Sequence, residues 1–132
     1  MIHILIFALY SHYIYEAKLE HITKAQENIY IEACSHITQI QAQIISELLL
    51  KGEKPDFGQT VRDATRQFWH TQKAYKKHKR LFYAILNFEE DKVAELNGYC
   101  LERGFKAFLD SQPEGAHKKI VEKYLTNIIK GD

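Results

Sequence analysis

The feature that most constrains this chain is a long apolar stripe with a helical period between Glu16 and Lys51. Counting Gln26, which fills one gap, nine positions recur about every 3.6 residues, the period of a straight α-helix rather than of a supercoiled one. Lys51 and Gly52 are typical of a helix C-terminus, so the sequence predicts one helix over about 16–51, about 50 Å long. The other stripe residues are Leu19, Ile22, Ile29, Ala33, Ile37, Ile40, Ile44 and Leu48.

The rest of the chain also shows helical patterns, separated by short turns. A turn-rich loop over 52–58 contains Pro55, and the next predicted helix runs over about 59–86. Asn87 and Ser111 each precede a Glu by three residues, which predicts N-caps for two further helices. Short connections favour antiparallel neighbours, so we predict an all-α, antiparallel helical bundle of four to five helices, forming a single domain over 1–132.

Length and composition agree with such a domain. At 132 residues, with 45% hydrophobic and 27% charged residues, the chain is long and apolar enough to bury a core, which excludes the disordered class. Cys34 and Cys100 lie far apart and form no CxxC pair, so we predict reduced, half-buried thiols in a cytoplasmic protein, with a single bridge as the alternative.

The N-terminal stretch Ile2–Tyr15 is the most apolar part of the chain. It is shorter than the about 20 apolar residues that a membrane span needs, so no membrane span is predicted. It also lacks the basic region and cleavage site of a secretory signal. We interpret it as a buried first segment, or as the truncated end of a longer chain.

Positive charge is concentrated in one stretch, although the net charge of the whole chain is only +1. Residues 59–88 have seven basic residues and one acidic residue, a net +6, whereas residues 1–58 have a net −3 and residues 89–132 a net −2. This predicts a site for an anionic partner, such as a phosphate backbone, an anionic lipid or an acidic protein. The alternative is a solvated helix face beside acidic helices. The candidate anion-binding residues are Lys73, Lys76, Lys77, Lys79 and Arg80.

The predicted helix over 59–86 has polar residues in the centre of its apolar stripe, between Thr71 and His78. Such residues could line an internal pocket for a small apolar ligand, or the helix could change the face that it buries. Gly98 and Gly104 similarly indicate either a close helix crossing or room for a ligand. The candidate pocket residues are Trp69, Thr71, Tyr75, His78 and Tyr99.

Motifs for catalysis or metal binding are weak. Glu114 and His117 have the i, i+3 spacing of di-iron bundles, but those sites need a second such motif and two further glutamates. Cys34 and His36 are two residues apart and would point to different sides of a helix. Neither a GxSxG motif nor a Gly-rich phosphate loop is present, so we predict no enzyme, no cofactor and no metal site.

Two stretches resemble the TetR family of ligand-responsive repressors. Leu9–Tyr13, with Leu19 after it, is similar to the LYxHF…L segment that closes the family's helix-turn-helix, and Arg80–Leu86 is similar to an apolar run in its regulatory helices. The helix-turn-helix would have to precede residue 9, where there is no room for it. The resemblance therefore implies only the helical ligand-binding and dimerisation part of that family.

These patterns together predict a non-enzymatic helical interaction or ligand-sensing module. We expect it to self-associate as a homo-oligomer, or to bind a protein partner, through Ile2–Tyr15 and Ala116–Lys130, which are rich in large aliphatic residues. The alternative is an anion- or nucleic-acid-binding protein that acts through 70–80. Nucleic acid is disfavoured because the pI of 7.8 lies below the basic range typical of such domains. A metal-binding helical bundle is the third hypothesis.

Overall fold

The computed structural model describes residues 21–131, and within this range the chain is all-α, without strands. The predicted helical fold class is therefore confirmed. The apolar stretch Ile2–Tyr15 lies outside the described residues. The elements are α1 (Lys24–Leu50), α2 (Phe57–Thr71), a 3₁₀ helix (Lys73–His78), α3 (Lys79–Leu86), α4 (Glu90–Asp110) and α5 (Ala116–Lys130).

Helix α1 begins later than its apolar stripe suggests. Thr23 is its N-cap: the Thr23 side chain accepts a bond from the Gln26 backbone at 3.1 Å, and the Gln26 side chain accepts one from the Thr23 backbone at 3.0 Å. This reciprocal capping box fixes the start at Lys24. The prediction that the helix already includes residues 21–23 is thus wrong. Residues 16–20, where the helix was predicted to begin, lie outside the described range. The predicted end at Lys51 and Gly52 is confirmed, with Gly52 at a φ of 75°.

The single helix predicted over 59–86 is wrong, because the chain breaks there into α2, the 3₁₀ helix and α3. Gln72, with φ −96° and ψ 71°, leaves the helical region and ends α2. In the following 3₁₀ helix, residues three apart lie on one side, which turns Tyr75 and His78 inward. The polar stretch therefore interrupts the apolar stripe because the helix itself is interrupted.

Side-chain contacts give the relative direction of the helices. His36 stacks on Phe68, near the end of α2, at 6.2 Å between ring centroids. Gln41, further along α1, donates to Thr60 near the start of α2 at 3.1 Å, so α1 and α2 are antiparallel. Glu27 pairs with Lys92 at 3.4 Å, and Thr38 contacts the Cys100 carbonyl, so α1 and α4 run side by side in the same direction. The chain runs up α1, down through α2 to α3, up α4 and down α5.

The core has two apolar clusters on either side of the α1–α4 contact. The first is aromatic and lies between α1, α2, α3 and α4, with Tyr30 stacked on Phe82 at 4.8 Å. The second joins α1 and α4 to α5 through aliphatic and Phe side chains. The buried residues of this second cluster are Ala42, Ile45, Leu101, Phe105, Phe108, Val121 and Leu125.

The predicted N-caps of the last two helices are wrong. Asn87 is the C-cap of α3 and Ser111 is the C-cap of α4, where the Ser111 hydroxyl donates to the Phe108 carbonyl at 2.6 Å. Glu89 and Gly115 occupy the N-cap positions of α4 and α5, without side-chain capping bonds.

The two glycines of α4 have different surroundings. A Cβ added to Gly104 would lie 1.8 Å from Thr38 Oγ1 and 2.7 Å from the Ser35 carbonyl oxygen, so α1 and α4 cross closely at this point. A Cβ added to Gly98 would meet nothing within 4 Å. The expectation of a close helix crossing therefore holds at Gly104, while Gly98 borders open space.

Candidate functional site

Five cationic residues form a surface that we call the basic segment: Lys73, Lys76, Lys77, Lys79 and Arg80. The first three lie on the 3₁₀ helix and the other two in the first turn of α3. Because residues three apart eclipse in a 3₁₀ helix, Lys73 and Lys76 lie on one side, about 6 Å apart along the axis, and Lys77 lies on the adjacent side. Their spacing in the sequence predicts that Lys73, Lys76, Lys77 and Arg80 share one α-helical face, but the first three lie on a 3₁₀ helix instead. All are exposed except Lys79, which is half-buried.

Tyr75 holds the 3₁₀ helix against the body of the bundle. Its ring contacts Phe68 at 5.5 Å and His36 at 5.6 Å between centroids, and its hydroxyl donates to Glu32 Oε1 at 3.0 Å. Partial burial raises the pKa of Tyr75, and the bond to the Glu32 carboxylate raises it further, so the phenol remains a donor at neutral pH. The lysines beside Tyr75 therefore project from an anchored helix.

The electrostatic surroundings of the basic segment leave several charges uncompensated. None of the ion pairs between described residues includes Lys73, Lys76 or Lys77. Lys79 Nζ lies 5.8 Å from the centroid of the Trp69 ring, within the range of a cation–π interaction. The cations at the start of α3 also face the positive end of its helix dipole, where carboxylates are preferred. This arrangement opposes local stability and favours a bound anion.

The predicted pocket residues do not gather around one space. Trp69 is mostly buried, 4.8 Å from Phe68 and 5.5 Å from Phe82 between ring centroids, and its Nε1 donates to a core Tyr hydroxyl at 3.2 Å. Thr71 is exposed and donates to a carbonyl of its own helix. Tyr99 lies on the outer face of α4 and is 54% exposed. Of the five predicted pocket residues, Tyr75 and Trp69 both contact Phe68, and His78 is half-buried on the 3₁₀ helix.

Both cysteines are free and fully buried at the contact between α1 and α4, rather than half-buried. Tyr30 donates its hydroxyl proton to Asn97 Oδ1, and Cys34 Sγ lies 3.9 Å from the same oxygen. Burial raises the pKa of the Cys34 thiol well above its ordinary value, and the nearby Cys100 raises it further. A thiol that stays protonated is a poor nucleophile. No sequence pattern marks Asn97 as the buried acceptor of this cluster.

The residues of the weak metal motif have other contacts. Glu114 pairs with Lys118 at 2.6 Å, and His117 Nε2 lies 3.0 Å from Ser46 Oγ. Within residues 21–131, no three His, Cys, Asp or Glu side chains come together as a group that could hold a metal ion.

Of the two surfaces expected to support self-association, only α5 is described. Val121 and Leu125 are buried in the second core cluster, and Ile120 is 56% exposed. Most large aliphatic residues of α5 thus contact the bundle itself. Among the described helices, none is long and apolar enough to cross a membrane.

Comparisons with known proteins by family model, by sequence and by structure give no match. The resemblance to TetR regulators therefore depends on the two sequence stretches alone. Leu9–Tyr13 lies outside the described residues, and Arg80–Leu86 forms all but the first residue of α3.

Proposed function

We propose that this chain is a non-enzymatic helical binding module that docks a short acidic segment of a protein partner on its basic segment. The observation that carries this proposal is the exposure of Lys73, Lys76 and Lys77 on an anchored 3₁₀ helix, without an ion-pair partner among the described residues. The self-associating and ligand-sensing forms of the interaction hypothesis stay predictions.

Two physical arguments support binding at this surface. Clustered like charges repel one another and raise the rate at which an oppositely charged partner is captured. The Tyr75 anchor also orders the backbone before binding, so less conformational entropy is lost when a partner docks. The basic segment is thus rigid but does not stabilise the fold, which supports a role in binding rather than a structural role.

The extent of the basic segment favours a short acidic peptide over a nucleic acid. The six residues of the 3₁₀ helix extend only about 12 Å at about 2 Å per residue. The described chain on either side, residues 21–58 and 89–131, carries net charges of −2 and −1. A long phosphate backbone would extend beyond the basic segment and gain little from these parts of the chain, whereas a short acidic segment would stay on the basic segment.

The test measures binding of a fluorescein-labelled Glu/Asp peptide of about five residues, which spans about 17 Å when extended, by fluorescence anisotropy. In the test variant, Lys73, Lys76 and Lys77 are all changed to Glu. In the control variant, Lys119, Lys123 and Lys130, which are exposed on α5, are changed to Glu, so the net charge changes equally. We expect the test variant to lose about tenfold in affinity or more, and added salt to weaken binding by the wild type.

Equal losses in the test and control variants would show that net charge, and not the basic segment, binds the peptide. An oligonucleotide that binds more tightly than the peptide, and loses affinity only in the test variant, would replace the acidic protein with a nucleic acid as the partner. No binding of either probe at low salt would contradict the proposed function as a whole.

A further inference from the structure

Tyr99 forms an exposed aromatic ridge on α4, on a different element from the basic segment. It is 54% exposed, one of three large hydrophobic side chains with high exposure among the described residues. A groove of about 620 Å³ lies on its α1 side, and a depression of about 330 Å³ lies over Gly98 on its other side. Tyr is enriched at the energetic centres of protein interfaces because its ring buries a large area at low entropic cost.

Two opposite charges flank this ridge at equal distances. Glu95 lies four residues before Tyr99 and Arg103 four residues after it, so the three side chains share one helix face. Each charge is about 6 Å along the helix axis from the tyrosine. Both are exposed, and neither forms an ion pair with another described residue. This face of α4 therefore presents an acidic, an aromatic and a basic side chain in that order along the helix.

This order is self-complementary under two-fold symmetry. If a two-fold axis passes through Tyr99 perpendicular to α4, the second helix runs antiparallel to the first. Glu95 of each copy then meets Arg103 of the other copy, and the Tyr99 rings meet near the axis. Two charges of the same sign at these positions would instead repel. We propose that this face of α4 docks a second copy of the chain in an antiparallel, two-fold symmetric dimer.

The arrangement also brings two lysines opposite one another, and acids of their own chain reduce the repulsion between them. The same axis places Lys92 opposite Lys106, because these lie seven residues before and after Tyr99. Each is already paired with an acid of its own chain, Lys92 with Glu27 at 3.4 Å and Lys106 with Asp110 at 3.2 Å. Gly98 leaves open the space that the Tyr99 ring of the second copy fills, since an added Cβ there meets nothing within 4 Å.

The test is sedimentation equilibrium of the full chain over a wide range of protein concentrations. The wild type is expected to dimerise reversibly. Glu95→Arg and Arg103→Glu each place like charges opposite one another, so each single change weakens the dimer about tenfold or more. The double variant Glu95→Arg, Arg103→Glu restores both opposite-charge pairs and is expected to recover wild-type association. Tyr99→Ala is expected to weaken the dimer as well.

Matched controls are Glu53→Arg and Lys123→Glu, which make the same charge changes at exposed positions on other elements and leave the dimer unchanged. A wild type that remains monomeric at the highest concentration overturns the proposal, and so do single variants that associate like the wild type. A folded double variant that fails to recover association also overturns it. The variant with Lys73, Lys76 and Lys77 changed to Glu is expected to keep the dimer; its loss would assign association to the basic segment instead.

Discussion

Gly104→Ala tests the closest approach of α1 and α4. Ala is ordinarily the better helix residue by about 1 kcal/mol, so helix propensity alone predicts a more stable protein. At this position the added Cβ would lie 1.8 Å from Thr38 Oγ1, and it would also lie 2.7 Å from the Ser35 carbonyl oxygen, which belongs to the backbone. The two helices must therefore separate, because turning Thr38 away would not relieve the contact with the Ser35 carbonyl oxygen.

The size of the effect follows from the contacts that would be lost. Overpacking of this kind costs about 2 kcal/mol. Moving Thr38 Oγ1 away from the Cys100 carbonyl oxygen, which lies 2.9 Å from it, costs about 1 kcal/mol more. After subtracting the gain in propensity, we expect the free energy of unfolding to fall by about 2 kcal/mol, which lowers Tm by about 8 °C for a domain of this size.

Denaturant titrations followed by fluorescence of the single tryptophan, Trp69, measure this change, because Trp69 is mostly buried in the aromatic cluster. Gly98→Ala is the matched control in the same helix. Its Cβ meets nothing, so we expect the free energy of unfolding to rise by about 1 kcal/mol at concentrations where the chain is monomeric. Thr38→Ala in the Gly104→Ala background should recover part of the lost stability.

A Gly104→Ala variant as stable as the wild type, or more so, would contradict the close crossing of α1 and α4 at this glycine. Equal changes of stability in the two alanine variants would also contradict it, because the helix crossing would then play no part in the difference.

Three further predictions concern the core and the Tyr75 anchor. Asn97→Leu removes the acceptor of the buried Tyr30 hydroxyl, and we expect denaturant titrations to show that the free energy of unfolding falls by about 2 kcal/mol. An unchanged free energy of unfolding would contradict that hydrogen bond. Tyr75→Phe removes only the bond to Glu32, so we expect the free energy of unfolding to fall by about 0.5 kcal/mol and amide exchange in the 3₁₀ helix to become faster. Unchanged amide exchange would contradict the role of Tyr75 as an anchor. Burial raises the pKa values of Cys34 and Tyr30, so the folded state keeps protons that the unfolded chain releases above about pH 8.5. Stability should therefore fall as the pH rises past that value, and Cys34→Ala should reduce the fall.

Periodicity predicts the helices well but their starts poorly. The apolar stripe of α1 continues on both sides of Thr23, so spacing alone does not show where the helix begins. The Thr23–Gln26 pair was a usable signal, because Thr followed three residues later by Gln matches a capping box. Asn87 and Ser111 matched the same pattern and end helices instead, since their neighbours decide which helix they cap.

The break after α2 has no glycine or proline to mark it. Its only sequence signal was the polar stretch from Thr71 to His78, which fits an interrupted helix as well as a lined pocket. Which of the two holds depends on whether Tyr75 can reach Phe68 and Glu32 on other elements, and such long-range contacts are not encoded in local spacing.

The candidate site was predicted in composition but not in geometry. Charge counting identifies all five cations of the basic segment, while the relative placement of Lys73, Lys76 and Lys77 follows from the 3₁₀ period. Tyr99 was predicted to line an internal pocket, but α4 buries the side that carries Cys100 and Leu101, so Tyr99 lies on the outer face. Asn97 gave no signal because its partner Tyr30 is 67 residues away.

The most direct test of the proposed binding surface is a titration of the ¹⁵N-labelled protein with the acidic peptide, followed by backbone amide chemical shifts. The shifts are expected to concentrate at 72–81, on the 3₁₀ helix and the start of α3, and to vanish as salt is added. Shifts centred on α4 or α5, or no shifts when the peptide is in large excess, would contradict the account.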